Sequence, residues 1–469
     1  MRYISTRGQA PALGFDEVLL AGLARDGGLY LPESWPRLEA GALRGLLGRP
    51  YPELAAEVMR PFVAGSVIES RFDSLVAEAY AAFDHPAVVP LKQLDSNDWL
   101  LELFHGPTLA FKDVAMQFLG RLFDAVLEAR DERITILGAT SGDTGAAAVE
   151  AFAGRARVDL FILHPENRVS EVQRRQMTTV EADNVHNLAV RGTFDDCQDL
   201  VKACFNDHAF RDRLHLSAIN SINWARVMAQ IVYYVSAALS LGAPERKVSF
   251  AVPTGNFGNV FAAHAARTIG LPIERLVVAS NSNDILARFF ERGEMAIETV
   301  QPTLSPSMDI QVSSNFERLL YELLEGEGAA VAETLSNFRT EGRFALPPQV
   351  HARVRESFEG FRLDDVGTLA EIKRCHGACG EVIDPHTAVG LAAARAHRGD
   401  PAVPMVTLAT AHPAKFPDAV ERAIGLRPAL PPRLADLHER PERFMVIPAE
   451  ERGLKRFLRD HARVLGEAA

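Results

Sequence analysis

The sequence predicts an α/β protein, and the pattern along the chain after residue 90 supports this fold class. Short apolar runs alternate there with segments of helical periodicity. Continuous apolar strands between helices are typical of parallel sheets that helices cover on both faces. Glycine, serine and threonine stand where several of these runs pass into helices. At 469 residues the chain is longer than a single hydrophobic core usually supports, so about two or three domains are expected.

The predicted strands and helices alternate along the chain. The strands read "ITILGA", "DLFILHP", "VSFAVP", "RLVVAS" and "MVTLAT". The helices that follow them read "GAAAVEAF", a segment beginning near Val169, "NVFAAHAARTIG", "DILARFF" and "KFPDAVERAIG". Because ligands of α/β sheets bind outside the carboxyl ends of strands, functional residues are expected at these junctions. The pattern from Pro302 to about Gly380 is less regular, and no order of strands and helices is predicted there.

Composition argues against several classes of function. The formal net charge is −11, which disfavours a nucleic-acid partner or a membrane-surface role. No apolar run approaches the roughly 20 residues of a membrane span. The N-terminal stretch "MRYISTRGQAPALGF" has no charged-then-apolar leader, so a cytoplasmic protein is expected.

No metal site is predicted. Cys375 and Cys379 form "CHGAC", but the spacing is unusual for zinc and no second pair completes a tetrahedral set. Cys197 and Cys204 have the pattern of helix positions. Ordinary reduced cysteines are therefore expected.

One lysine stands at a helix start in "LFHGPTLAFKDVAMQF". The residues before Lys112 are small or apolar, and an amphipathic helix is predicted from it to about Ala129. The positive end of the helix dipole and apolar surroundings both lower the pKa of a lysine, which favours the nucleophilic amine. For any single lysine at a helix start, it is more common that the side chain extends from the first helical turn and keeps its ammonium group in solvent.

A glycine-rich loop joins strand to helix in "VSFAVPTGNFGNVFAAHAAR". Its two glycines allow consecutive backbone N–H groups to turn toward one point at a helix N-terminus, which suits a phosphate. The loop matches neither the Walker pattern nor the dinucleotide fingerprint. A turn without a ligand is the alternative. The candidate phosphate-binding residues are Gly255, Asn256, Phe257, Gly258 and Asn259.

A second loop, "ATSGDTGAAA", offers hydroxyls beside free backbone donors at another helix start. It could bind a second anion such as a carboxylate. Taken alone, a helix cap made by Asp143 or Thr144 is the better interpretation. A nucleophilic lysine together with a phosphate-binding loop nevertheless favours a Schiff base with pyridoxal phosphate.

The motifs "HGPTLAFKDVAMQFLG", "GATSGDTGAAA" and "PTGNFGN" resemble the threonine synthase family, in its long bacterial and fungal form. These motifs alone are shared by the whole tryptophan-synthase-β-like class, the fold type II pyridoxal-phosphate enzymes. Narrower likenesses are "MRYISTRG", "DGGLYLPE", "SPSMDIQVSSNFERLLYEL", "DPHTAVG" and "LATAHPAKFP". The likeness covers nearly the whole chain and implies two open parallel or mixed sheets plus an N-terminal domain.

The resemblance implies a lyase of threonine biosynthesis that converts O-phospho-L-homoserine and water to L-threonine and phosphate. Lys112 would carry the cofactor as a Schiff base, and the Gly255–Asn259 loop would bind its phosphate. Thr410 would face the pyridine nitrogen with a hydroxyl. His412 and Lys415 are further candidates near Thr410, while Asp309 and Asn315 resemble signature positions without a derived role.

Substrate contacts are expected in two segments. The resemblance implies that Ser141, Gly142, Asp143 and Thr144 grip the substrate carboxylate. For the substrate phosphate we expect Ser221, Asn223 and Arg226 in "INSINWARVMAQ", because a guanidinium makes paired bonds to phosphate oxygens. A salt bridge on a helix face is the alternative for Arg226.

Three other functions are compatible with these motifs. A phospholyase paralogue would release a 2-oxo acid from a similar substrate. A threonine or serine dehydratase shares the class, but the N-terminal domain and "SNFERLL" disfavour it. A non-catalytic paralogue that only binds pyridoxal phosphate is disfavoured by the intact Lys112.

Domain boundaries follow from composition and from the resemblance. Residues 1–90 are helix-rich and end in "FDHPAVVP", so they are expected to form an N-terminal domain. The resemblance implies a large cofactor domain from residues 91–129 and 243–469. It also implies a small mobile domain, residues 130–242, which closes over the substrate and expels water. A monomer or a homodimer is expected.

Overall fold

The computed structural model describes residues 1–465 of the chain. In chain order, the strands are β1 (Tyr3–Ser5), β2 (Tyr30–Pro32), β3 (Leu91–Asp95), β4 (Asp98–Glu102), β5 (Ile134–Ala139), β6 (Val158–Pro165), β7 (Val185–Arg191), β8 (Leu216–Ser217), β9 (Val248–Pro253), β10 (Ile273–Ser280), β11 (Glu294–Ala296), β12 (Arg343–Ala345), β13 (Phe358–Arg362), β14 (Met405–Ala409) and β15 (Met445–Pro448).

The helices surround these strands. They are α1 (Phe15–Ala21), α2 (Ala40–Gly45), α3 (Tyr51–Val63), α4 (Phe72–Tyr80), α5 (Lys112–Arg130), α6 (Asp143–Phe152), α7 (Glu171–Thr178), α8 (Phe194–Asn206), α9 (His208–Arg213), α10 (Trp224–Ser240), α11 (Gly258–Thr268), α12 (Ile285–Arg292), α13 (Phe316–Leu323), α14 (Gly328–Glu341), α15 (Pro348–Arg355), α16 (Asp365–Cys379), α17 (Pro385–Ala396), α18 (Pro417–Ile424) and α19 (Glu451–His461).

The larger sheet is mixed. Its six strands run in the order β13-β10-β9-β14-β4-β3, and all neighbours are parallel except β3 and β4 at one edge. Every residue of β9 and β14 is buried, as expected for central strands covered on both faces. The α/β class is therefore confirmed, and the predicted strand–helix pairs are present.

The second sheet is parallel and has five strands in the order β15-β7-β6-β5-β8. Four of its strands lie between residues 134 and 217, inside the range expected for the small domain. The fifth strand, β15, pairs with β7 and comes from the C-terminal part of the chain. Sheet membership therefore differs from the expected division, which places residues 243–469 with the large sheet.

The N-terminal segment is helical, as predicted, and packs into the main core. It contains α1 to α4 and the β1–β2 ribbon. The ring of Trp224 on α10 lies 5.9 Å from Tyr3 and 5.6 Å from Phe62, centroid to centroid. Aromatic pairs at such separations stabilise a core beyond the apolar area that they bury. The segment is thus joined to the helix that precedes β9.

Helix α5, which begins at Lys112, packs closely against α6. A Cβ atom added to Gly120 of α5 would lie 2.4 Å from the carbonyl oxygen of Ala151 on α6. Only glycine permits this approach, so Gly120 sets the spacing of the two helices that carry the candidate lysine and the SGDTG loop. Across residues 1–465, none of the helices has the length and apolar character that crossing a membrane requires.

We predict that Gly120→Ala destabilises the protein although alanine is the better helix former. The methyl group would have to displace the α6 backbone, and overpacking of this kind costs about 1–3 kcal/mol. Gly377→Ala is the matched control, because nothing lies within 4 Å of the added Cβ in α16. Alanine there is expected to stabilise by about 0.5–1 kcal/mol.

Thermal unfolding followed by circular dichroism measures both changes. The melting temperature of Gly120→Ala is expected to fall, and that of Gly377→Ala to rise slightly. A Gly120→Ala protein that melts at or above the wild-type temperature would contradict the close-packing explanation.

Candidate active site

A cavity lies where the large sheet meets the N-terminal ends of several helices. It is bounded by the carboxyl ends of β9 and β14 and by the starts of α5, α6 and α11. Its lining combines cationic side chains with backbone and hydroxyl groups, and consists of Phe111, Lys112, Asp143, Thr144, Ser221, Arg226, Gln230, Pro253, Thr254, Gly255, Asn256, Phe257, Gly258, Asn259, Ser307, Met308, His386, Thr410 and Ala411. This is the edge of the sheet at which a ligand is expected.

Lys112 is the first residue of α5 and is held at the end of β14. The backbone N–H of Phe111 donates to the carbonyl oxygen of Thr410 at 2.8 Å, and Ala110 pairs with Ala411 as an isolated bridge. The side chain of Lys112 is 11% exposed. Burial lowers the pKa of its amine below the ordinary value, although Asp143 opposes this shift. The predicted direction of the pKa shift is the one the structure indicates.

Asp143 is the ionic partner of Lys112. Its Oδ2 lies 3.2 Å from the Nζ of Lys112, and its Oδ1 lies 2.8 Å from the Nζ of Lys415. Burial alone would raise the pKa of Asp143, but the two ammonium charges hold it well below the ordinary value. The carboxylate therefore stays ionised between two cations. The sequence indicated neither pairing.

Only part of the predicted carboxylate-binding loop lines the cavity. Thr144 and Asp143 line the cavity, whereas Ser141 is exposed and Gly142 does not line it. Neither Asp143 nor Thr144 caps α6. Instead, the Oγ1 of Thr140 accepts hydrogen bonds from the N–H groups of Gly142 and Gly145. The capping alternative for this loop is wrong.

The Gly255–Asn259 loop presents its backbone donors to the cavity. The carbonyl oxygen of Gly255 accepts a hydrogen bond from Ser313 Oγ at 2.8 Å, and that of Asn256 accepts from Asn315 Nδ2 at 3.0 Å. These bonds tie the carbonyls away from the cavity. Within residues 1–465, the N–H groups of residues 255–257 donate to no protein acceptor.

The loop conformation requires its glycine and depends on aromatic packing. A Cβ on Gly255 would lie 2.6 Å from the carbonyl oxygen of Ser307. Phe257 has a left-handed φ of 63° and packs its ring 5.5 Å from that of Phe316, centroid to centroid. The Oδ1 of Asn259 accepts a hydrogen bond from the hydroxyl of Tyr234 at 2.7 Å. Through its bond to the carbonyl oxygen of Asn256, the signature residue Asn315 supports this loop.

Arg226 contributes a buried cation to the cavity. It is 2% exposed, and its Nη1 donates to the carbonyl oxygen of Ile219 at 3.0 Å. Among the described residues, its Nε has no hydrogen-bond partner. Burial lowers the pKa of the guanidinium to about 10, so it remains charged at neutral pH. It is not an exposed helix-face residue, so the surface salt-bridge alternative is wrong.

The other two residues predicted with Arg226 have different surroundings. Ser221 lines the cavity, and its Oγ accepts from Asn315 Nδ2 at 3.4 Å. Asn223 caps α10 by accepting from the N–H of Ala225 and donates to the carbonyl oxygen of Leu19 at 2.9 Å. Asn223 lies outside the cavity lining, with its side chain committed to the N-terminal segment.

The remaining candidates lie on or near the cavity. Thr410 lines it at the end of β14. Lys415 lies behind Asp143 and is fully buried. His412 lies in a separate cleft with His105 and Arg433, where burial lowers its pKa to about 4. Asp309 accepts hydrogen bonds from neighbouring amide and hydroxyl groups near the cavity and does not line it.

Ser307 and His386 line the cavity and were not predicted as site residues. The Oγ of Ser307 donates to Asp143 Oδ2 at 3.3 Å, and its backbone N–H donates to His386 Nε2 at 3.3 Å. The Nδ1 of His386 lies 2.7 Å from Asp384 Oδ2. The segments "SPSMDI" and "DPHTAVG", which carry the family likeness, were the available signal.

None of the four cysteines is joined in a disulfide in the part of the chain that the structure describes. Cys197 and Cys204 are buried on α8. The Sγ atoms of Cys375 and Cys379 lie 4.0 Å apart, one turn apart on α16. No group of histidine, cysteine, aspartate and glutamate within residues 1–465 has an arrangement that could hold a metal ion.

Comparison with known proteins identifies the family. Family models match residues 2–80 ("Threonine synthase N terminus"), 86–337 ("Pyridoxal-phosphate dependent enzyme") and 387–458 ("Threonine synthase, C-terminal"). A threonine synthase of Pseudomonas aeruginosa is 57% identical over 98% of both chains. "Threonine synthase-like 2" of Homo sapiens is 36% identical and covers 95% of this chain and 94% of the human one.

A solved structure gives the same result. The fold matches the crystal structure of pyridoxal-phosphate-bound threonine synthase from Brucella melitensis with a TM-score of 0.96 and 53% identity. The match covers 99% of this chain and 100% of the other, which confirms the fold type II architecture. The chain therefore belongs to the threonine synthase family of pyridoxal-phosphate-dependent enzymes.

Proposed function

We propose that this protein converts O-phospho-L-homoserine and water to L-threonine and phosphate, the last step of threonine biosynthesis. One observation carries the proposal. A buried lysine, a loop of free backbone donors and a buried guanidinium line the same cavity. This set provides an amine for covalent catalysis and two separate places for a phosphate group. The identity to threonine synthases supports the same reaction.

The residues fit pyridoxal phosphate. The unpaired N–H groups of residues 255–257 and the N-terminus of α11 suit the phosphate. The amine of Lys112 would hold the aldehyde end of the cofactor, and Thr410 would offer a hydroxyl to it at the end of β14. A hydroxyl does not keep a pyridine nitrogen protonated as a carboxylate would. When bound, the group withdraws electrons from the carbons next to the substrate amine.

The residues of the chain then bind the substrate and move protons. Lys112 would take the proton from the α carbon of the substrate and exchange protons at its β and γ carbons. Phosphate leaves from the γ carbon, and water adds at the β carbon. A desolvated amine suits several such transfers because its pKa lies nearer to the working pH.

The charges of the cavity suit a phosphorylated substrate. Lys112, Lys415 and Arg226 bring basic side chains to the site, and Asp143 is the carboxylate that pairs with the two lysines. A buried guanidinium without a carboxylate partner binds a phosphate through paired hydrogen bonds. We assign the substrate phosphate to Arg226 with Ser221. Thr144 and the neighbouring loop residues Ser141 and Gly142 are assigned to the substrate carboxylate on the family resemblance.

We propose that the enzyme acts in the cytoplasm as a monomer or a homodimer. Residues 130–242 are proposed to close over the substrate, which would expel water and strengthen the ionic contacts. Closure has to remain selective, because one water molecule must reach the β carbon.

The product distinguishes the proposed reaction from that of a phospholyase. Purified protein incubated with pyridoxal phosphate and O-phospho-L-homoserine is expected to release threonine and phosphate in equal amounts. Accumulation of 2-oxobutyrate in place of threonine would identify a phospholyase. The absence of both products with intact substrate would identify a binding protein. Amino-acid chromatography and a phosphate assay measure both outcomes.

We predict that Lys112→Ala abolishes covalent attachment of the cofactor. Borohydride reduction of the wild-type protein should add a pyridoxyl group to the peptide that contains Lys112, which mass spectrometry detects. The variant should lose this adduct and at least about 10³-fold in kcat. Lys202→Ala, an exposed lysine on α8, is the control and should retain both. An adduct at another lysine in the wild type would contradict the assignment.

We predict that Arg226→Met weakens use of the phosphorylated substrate and leaves cofactor binding unchanged. Loss of a charge-assisted contact of about 1.5–3 kcal/mol should lower kcat/KM by about 10- to 100-fold. Arg121→Met, a largely buried arginine outside the cavity lining, should leave kcat/KM unchanged. If the affinity for pyridoxal phosphate falls instead, Arg226 serves the cofactor and the assignment is wrong.

A further inference from the structure

Lys415 is a second buried lysine beside the reactive one. It ends the short turn Pro413–Lys415 that follows β14, and its side chain is 0% exposed. Its Nζ donates to the carbonyl oxygen of Thr108 at 2.7 Å and lies 2.8 Å from Asp143 Oδ1. A buried ammonium is costly unless it is paired and hydrogen-bonded. Lys415 meets both conditions.

The two oxygens of Asp143 serve different sides of the carboxylate. Oδ1 faces Lys415 and also accepts from Gln173 Nε2 at 2.9 Å. Oδ2 faces Lys112 at 3.2 Å and accepts from Ser307 Oγ at 3.3 Å. The shorter and more buried ion pair is therefore the one with Lys415. Lys112 receives the longer contact.

Lys415 also links the segments that carry the reactive groups. Thr108, whose carbonyl oxygen it binds, precedes Lys112 in the same turn, and its N–H and hydroxyl donate to Asp113. Asp143 begins α6. Lys415 does not line the cavity. Its ammonium contacts the carboxylate of Asp143 and the carbonyl oxygen of Thr108, so any effect on the reaction is exerted from outside the cavity lining.

We propose that Lys415 is a positioning residue for the reaction, because its ammonium anchors the Asp143 carboxylate beside Lys112 through the shorter of the two ion pairs. Lys112 is then oriented by Asp143 without being locked in a full ion pair. The proposal rests on the proposed function. It assigns the balance of charge at Lys112 to a residue that contacts neither the cofactor nor the substrate.

The other charged groups near the cluster are few among the described residues. Arg226 projects from α10 into the cavity, Asp113 lies on α5 beside Lys112, and His386 lies on α17. Burial raises the pKa of Asp113, although its bonds from Thr108 oppose this. After burial, Asp143 raises the pKa of Lys112, whereas Lys415 and Arg226 lower it. Asp143 and Lys415 therefore act on Lys112 in opposite directions.

The opposite effects of Asp143 and Lys415 on the pKa of Lys112 can be used to test the role of Lys415. Lys415→Met removes one of the two lysines that pair with Asp143, so Lys112 becomes the only lysine beside the carboxylate. The pKa of the Lys112 nitrogen should therefore rise. Asp143→Asn removes the anion, so the same pKa should fall. The absorbance of the cofactor attached to Lys112, recorded against pH, reports protonation of this nitrogen without turnover. A role limited to packing predicts no such opposition.

We expect the absorbance midpoint of Lys415→Met to rise by about one pH unit and that of Asp143→Asn to fall by about one, as for single charges at this range. Lys415→Arg retains the charge and should stay within about 0.5 unit of wild type. Lys455→Met is the matched control, because Lys455 pairs with Asp207 and Glu451 outside the cavity. It should leave the midpoint unchanged.

Steady-state kinetics add a second readout. Lys415→Met should lower kcat by at least about tenfold with little change in KM, because Lys415 touches no substrate. If this variant does not accumulate as a folded protein, Lys415→Gln replaces it. Its amide can still donate to Asp143, and its midpoint should also rise.

Two results would overturn the proposal. One is a midpoint for the neutral Lys415 variants within about 0.3 unit of wild type. The other is a shift in the same direction as that of Asp143→Asn. Neither result depends on the product released. If wild type forms a 2-oxo acid, the proposed function fails while the titration still tests Lys415.

Discussion

The buried carboxylate of Asp143 is the interaction on which the site depends. It is the counter-ion of the reactive lysine and of a second lysine, and all three side chains are largely removed from solvent. Removing an unbalanced charge from water is costly. The turn before Lys112, the start of α6 and the turn after β14 must therefore meet at one point. Their meeting defines one wall of the cavity.

The opposite wall is made by backbone. Ser313 and Asn315 bind the carbonyl oxygens of the Gly255–Asn259 loop, so the N–H groups remain available to an anion. Arg226 adds a buried guanidinium to the cavity lining. The cavity lining therefore combines basic side chains with backbone donors, which is the chemistry that the proposed cofactor and substrate require.

Local patterns predicted most of the scaffold. Strands such as β9 and β14 are apolar throughout because both of their faces are covered, and the junction loops contain the glycines that a close backbone approach requires. Lys112 could be selected because it stands at a helix start among apolar residues. The Gly255–Asn259 loop could be selected because its two glycines precede a helix. The strand β15 could not be assigned to its sheet, because its partner β7 lies more than 200 residues earlier in the chain.

From the sequence alone it was possible to derive the alternation of strands and helices and the family likeness, and to select Lys112 and the Gly255–Asn259 loop as candidates. These features depend on short-range spacing and on the chemistry of single residues. The three-dimensional fold was needed to show that Asp143 faces two lysines, that Arg226 is buried, and that Asn223 caps α10. Such pairings join residues that are distant in sequence. Burial then decides whether a charged group can bind a ligand or only stabilises the fold.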